Sequence, residues 1–100
     1  MSERIVRLLG LGRKAGRVVL GVTGVRAKLR RDALRCVVLA ADASPRTREM
    51  LERLARARGV PVIAGPAAER LGAGLGRPPV QAVGVEDAGL ARGLVASLEE

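Results

Sequence analysis

The sequence predicts an α/β protein, a three-layer α/β/α sandwich around a small four-stranded sheet, and two patterns carry that expectation. Short β-branched or continuously apolar runs recur at residues 17–20, 36–40, 60–64 and 82–85, each of strand length. Around them lie segments whose apolar residues repeat at i, i+3 and i+4, the period of a helix with one buried face. Regular alternation of the two kinds puts helices on both faces of one sheet. With 100 residues the chain is expected to form a single domain over 1–100 around one core.

Taken in order, Ser2 is placed to cap a first helix with Ile5, Leu8 and Leu9 on its inner face and Arg4, Arg7 and Lys14 mostly on another. Gly16 stops it. The β-branched residues 17–20 read as an edge or near-edge strand ending at Gly21, and a second helix follows with Val22, Val25 and Leu29 inward and Arg26 and Arg30 outward. Residues 36–40 (Cys-Val-Val-Leu-Ala) are apolar throughout, as a strand covered on both faces must be, and should be central. Ser44-Pro45 launches a third helix with Met50, Leu51, Leu54 and Ala55 inward. On its outer face the pairs Glu49 with Arg53 and Glu52 with Arg56 have the acid-first i, i+4 spacing that gives local support. Residues 60–64 form a third strand, and Gly65-Pro66 breaks it before a short helix over about 67–75. Gly76-Arg77-Pro78-Pro79 reads as a rigid loop, residues 82–85 as the fourth strand, and Glu86-Asp87 leads into a last helix ending near Leu98.

The charge is unevenly placed. Residues 1–35 hold ten basic side chains against Glu3 and Asp32 and so carry the entire net charge of +8, while residues 36–100 hold eight of each sign. Sixteen of the eighteen basic residues are arginine, whose fork suits phosphate. A polyanion-binding face made by the first two helices explains this segregation; an arginine-rich solvated surface is the alternative. With no His and a single Cys, a His-containing metal site, a Cys/His dyad, a Ser/His/Asp triad and an intrachain disulfide are excluded. An enzyme is not expected, nor a metal or cofactor. No apolar run reaches the length of a membrane span or secretory h-region, so a cytoplasmic monomer without membrane contact is expected.

Most glycine patterns carry no chemistry. Residues 10–16 and 72–76 both miss the dinucleotide spacing and do not follow a strand. Asp42 and Ser44 suit helix capping, Glu86 and Asp87 suit a helix start, and Cys36 in the most apolar run suits inert packing. Gly21-Val22-Thr23-Gly24 differs, because it joins a strand to a helix carrying Arg26, Lys28, Arg30 and Arg31. Free amides there favour phosphate, although an ordinary strand-to-helix turn has the same composition.

The chain also resembles the kink-turn RNA-binding ribosomal protein family, L-seven-Ae type, and within it the short bacterial YlxQ-like branch. The resemblance covers nearly the whole chain and rests on residues 8–21 (LLGLGRKAGRVVLG), 37–44 (VVLAADAS), 59–63 (GVPVI), Leu71-Gly72, Gly76-Arg77-Pro78-Pro79 and Val83-Gly84-Val85. It implies a single kink-turn-binding-protein-like domain acting in translation. The RNA surface would comprise Lys14, Arg17, Gly21, Val22, Thr23, Gly24, Arg26, Lys28, Arg77, Pro78, Pro79 and Val80. The implied partner is structured RNA, ribosomal or otherwise kink-turn-like, with ribosomal proteins as a further class; a protein-interaction module on the ribosome, its Arg face serving acidic side chains, is the alternative. Family members that bind RNA typically read Gly, any residue, Asn, Glu, two residues, Lys, where this chain has Gly21, Val22, Thr23, Gly24, Val25, Arg26 and Ala27. Loss of the Glu implies phosphate affinity with less base selectivity, and without aromatic residues base stacking falls to Arg planes.

Overall fold

A computed structural model describes residues 2–99, the side chains of residues 2 and 99 excepted; the expected Ser2 cap therefore lies outside the described side chains. The chain runs α1 (Ser2–Lys14), β1 (Val18–Leu20), α2 (Val22–Arg30), β2 (Cys36–Leu39), α3 (Pro45–Ala57), β3 (Val62–Ala64), α4 (Ala68–Gly74), β4 (Ala82–Val85) and α5 (Ala88–Ala96), closing in a 3₁₀ turn over Ser97–Glu99. The four strands form one mixed sheet in the order β1-β4-β2-β3. β1 and β2 pair antiparallel with β4, and β2 pairs parallel with β3. α2 and α3 pack together over one face, whereas α1 packs with α4 and α5 over the other. This is the three-layer α/β/α arrangement that the alternation of patterns predicts.

Local chemistry explains the element ends. Gly16 and Gly59 adopt positive φ, at 70° and 67°, just beyond α1 and α3, where a left-handed residue terminates a helix. Pro45 opens α3 and the Ser44 side chain accepts the Thr47 N–H. Asp87 caps α5 by accepting the Leu90 N–H at 2.8 Å. β3 begins at Val62 rather than Val60, since Pro61 has no N–H for a ladder.

All of β2 and β4 is buried, with Val37, Val38 and Val83 at 0% exposure, and burying each such side chain is worth ~1.5–3 kcal/mol. Leu9, Val25, Leu29, Leu51 and Leu71 close the core from the helical layers, while Met50 and Leu54 are only partly buried at its margin. One expected ion pair is replaced. Glu49 pairs with Arg53, but Glu52 turns back to Arg48 at 3.9 Å instead of forward to Arg56. Arg48 is already held close by its bonds to the Ala40 and Ala41 carbonyls, which presents its guanidinium to Glu52.

Candidate nucleic-acid interface

The start of α2 is shaped by its backbone conformation. Gly21 has φ 95° and ψ 156°, a region that essentially only glycine occupies. Its N–H donates to the Ala82 carbonyl at 2.9 Å, which fixes the helix start against the beginning of β4. Among the described residues no side chain caps α2, and no acid stands in its first turn. The amides of Val22, Thr23 and Gly24 therefore have no intrahelical acceptor and point, with the helix dipole, toward any anion placed there.

The loop between α4 and β4 comes to the same place. Arg77 N–H donates to the Gly72 carbonyl and Val80 N–H to the Ala68 carbonyl, so the loop is tied back onto α4. Its closest approach is at Gly72, whose missing Cβ makes room for the Pro78 carbonyl. Leu20, Gly21, Val22 and residues 77–81 then line one open groove of about 310 Å³. Thus Gly21, Val22, Arg77, Pro78, Pro79 and Val80, singled out in the sequence, share one site, with Thr23 and Gly24 adjoining them along α2.

The other sequence-predicted residues do not line this groove. The β1–β4 ladder runs from Gly21 beside Ala82 at one end to Arg17 beside Glu86 at the other, where the Glu86 N–H donates to the Arg17 carbonyl. Arg17 therefore lies at the end away from the groove. Lys28 also lies there, its Nζ 3.6 Å from the Glu86 carboxylate. Lys14 is exposed at the end of α1. Arg26 stands one turn beyond Val22 and lines a separate cavity of about 440 Å³ with Arg46, Thr47, Glu49, Met50 and Arg53.

Sequence reasoning missed three residues that shape this end of the molecule. In the sequence Gly72 is only one glycine of a pattern, yet it admits the loop. Gln81 lines the groove and its Oε1 accepts the Ser44 N–H at 3.0 Å, a contact that no spacing signals. The Arg13 guanidinium lies 3.7 Å from the position of a Cβ on Gly76, close to the loop. Among the described residues no group of three His, Cys, Asp or Glu could hold a metal ion, and no helix is long and apolar enough to cross a membrane. Cys36 is fully buried, and that burial pushes its thiol up to about 12, far from a reactive thiolate.

Comparison with known proteins agrees with this architecture. The family model described as "Ribosomal protein L7Ae/L30e/S12e/Gadd45 family" matches residues 3–95. A solved protein of unknown function from Bacillus halodurans C superimposes with a TM-score of 0.91 and 27% identity, covering 100% of both chains. A 15.5kD RNA binding protein from Giardia lamblia superimposes with a TM-score of 0.85 and 20% identity, over 98% of this chain and 87% of the other. No curated protein matches by sequence.

Proposed function

The chain belongs to the ribosomal protein L7Ae/L30e/S12e/Gadd45 family, and from that membership we propose that it is a non-enzymatic RNA-binding protein of the translation apparatus whose loop groove clamps a sharply bent, kink-turn-like RNA. The observation that carries the reading is the meeting of an uncapped helix start with a proline-stiffened, arginine-bearing loop in one groove. Free amides at Val22 to Gly24 suit a backbone phosphate, and Arg77 on the facing loop brings a second positive group to it. The likeness in fold to the Giardia RNA binding protein supports the same class of ligand.

In this proposal Gly21, Val22, Thr23, Gly24, Arg26 and residues 77–80 touch RNA. Lys14, exposed at the end of α1, and Arg17 and Lys28, at the far end of the ladder, contribute through the positive field that speeds encounter. Gly24 offers no acceptor to a guanine edge and Thr23 is shorter than Asn, so selectivity rests on the shape of the RNA more than on its bases.

The test is competition between a kink-turn RNA and a straight duplex of equal length, repeated across salt concentrations. Engagement of about four to six phosphates gives a slope of log K against log salt of roughly −3 to −5. The kink-turn is favoured by only about 1–2 kcal/mol, the scale of one base-reading contact. Equal binding of both RNAs would dismiss kink-turn recognition, and absence of binding to either would dismiss the RNA-binding reading.

A further inference from the structure

We infer that the RNA surface does not end at the loop groove but continues along α2 into a second phosphate-binding groove between α2 and α3, formed by Arg26, Arg46 and Arg53; the inference rests on the proposed RNA-binding role of the first groove. Three arginines from two different helices line this cavity of about 440 Å³ together with Thr47, Met50 and a single acid, Glu49. Arg26 and Arg46 are exposed and have no ion-pair partner among the described residues. Arg53 meets Glu49 only at 3.8 Å, with both side chains at least 70% exposed, an ion pair too open to hold either group against a phosphate. Arg48, one residue outside the cavity lining, shows the contrast: it is committed to the Ala40 and Ala41 carbonyls.

Two connections make the grooves one track. Val22 lines the first and Arg26 the second, and at i, i+4 they are neighbours on the same face of α2. On the other side Gln81, in the wall of the first groove, accepts the Ser44 N–H, and Ser44 accepts the N–H of Thr47 in the second. A strand of RNA held at the start of α2 is therefore led toward three arginines, whose forked donors match phosphate oxygens. The spacing of a second group of charges further along favours the sugar-phosphate backbone of a flanking helix over an acidic protein segment, which would not need continuity with the first groove.

The experiment compares Arg46→Gln/Arg53→Gln with wild type and with a charge-matched control, Arg35→Gln/Arg92→Gln, on two versions of one kink-turn RNA, with a long and a short flanking stem. All four positions are exposed, so thermal melting verifies that the variants fold. The α3 variant is expected to bind the long-stemmed RNA about tenfold more weakly and to lower the salt slope by roughly 1–2, with the short-stemmed RNA unaffected and the control unchanged on both. Unchanged binding of the long-stemmed RNA, or equal losses on both stems or in the control, would overturn the second groove while leaving the first. The same holds if only polyglutamate binding falls in the α3 variant. Failure of wild type to bind either RNA would remove the loop-groove reading and this extension together.

Discussion

A Cβ built on Gly24 would lie 2.6 Å from the Cγ2 of Val19, so the side chain missing from the expected RNA-reading position is linked to the residue on the neighbouring strand. Val19 is β-branched and its rotamer is restricted, which leaves it little room to yield. Gly24→Glu alone should therefore destabilise the protein by about 1–3 kcal/mol, as read from urea melts, and Val19→Ala should recover much of that loss. In the Val19→Ala background, Thr23→Asn, Gly24→Glu and Ala27→Lys together should raise preference for a kink-turn over a duplex by about 1–2 kcal/mol; a uniform fall in affinity for both RNAs would mean that the new Glu faces phosphate instead. Cys36 gives a second test. Its thiol lies near 9 when unfolded and at about 12 when folded, so the folded chain binds that proton more tightly. The stability this contributes is present below pH 9 and is lost as pH rises toward 12. Urea melts of wild type against Cys36→Ala across that window should show the loss in wild type only, and alkylation at neutral pH should require unfolding.

At the scale of elements, the loop groove depends on α4. Gly72 faces the Pro78 carbonyl with no space for a methyl group, so Gly72→Ala should push residues 77–79 away from Val22 and weaken RNA binding by roughly tenfold, at a stability cost of about 1–3 kcal/mol. Gly10 is the counter-case: nothing lies within 4 Å of a Cβ there, and Gly10→Ala inside α1 should stabilise by about 0.5–1 kcal/mol with RNA binding unchanged. Chemical denaturation and RNA titration of the two variants separate packing of the loop from helix propensity. For the sheet, Val38→Asp would bury a lone carboxylate at 0% exposure, a cost of several kcal/mol that is comparable to total stability, and circular dichroism should find the variant unfolded. The strands were readable because β2 and β4 are wholly apolar or small, and the helices because Pro45, Ser44 and Gly16 mark their ends by local chemistry.

Across the whole molecule, what the sequence concealed is what arises between elements. The segregated charge of residues 1–35 pointed to a basic face, but the chain direction through β1 divides its members, leaving Gly21 and Val22 at one end and Arg17 and Lys28 beside Glu86 at the other. Spacing on α3 suggested that Glu49 and Glu52 neutralise their own arginines. Only the packing of α3 against α2 brings Arg46 and Arg53 to Arg26, and no periodicity within either helix encodes that meeting. Gly72 and Gln81 escaped for the same reason: one acts by a carbonyl from another segment, the other by an amide 37 positions away.

The placement of β4 between β1 and β2 also has a consequence for synthesis. As the chain leaves the ribosome its most cationic part, residues 1–35, emerges before residues 82–85, so β1 has no neighbour in the sheet until Val83, Gly84 and Val85 arrive. The nascent segment over residues 1–35 thus carries its positive charge before the sheet that fixes its geometry has formed. Closing so long a loop makes this pairing a slow, late event in folding. Emergence of residue 85 from the ribosome is consequently the earliest point at which the proposed RNA groove takes shape, and a chain ending before it would carry the charge without that shape.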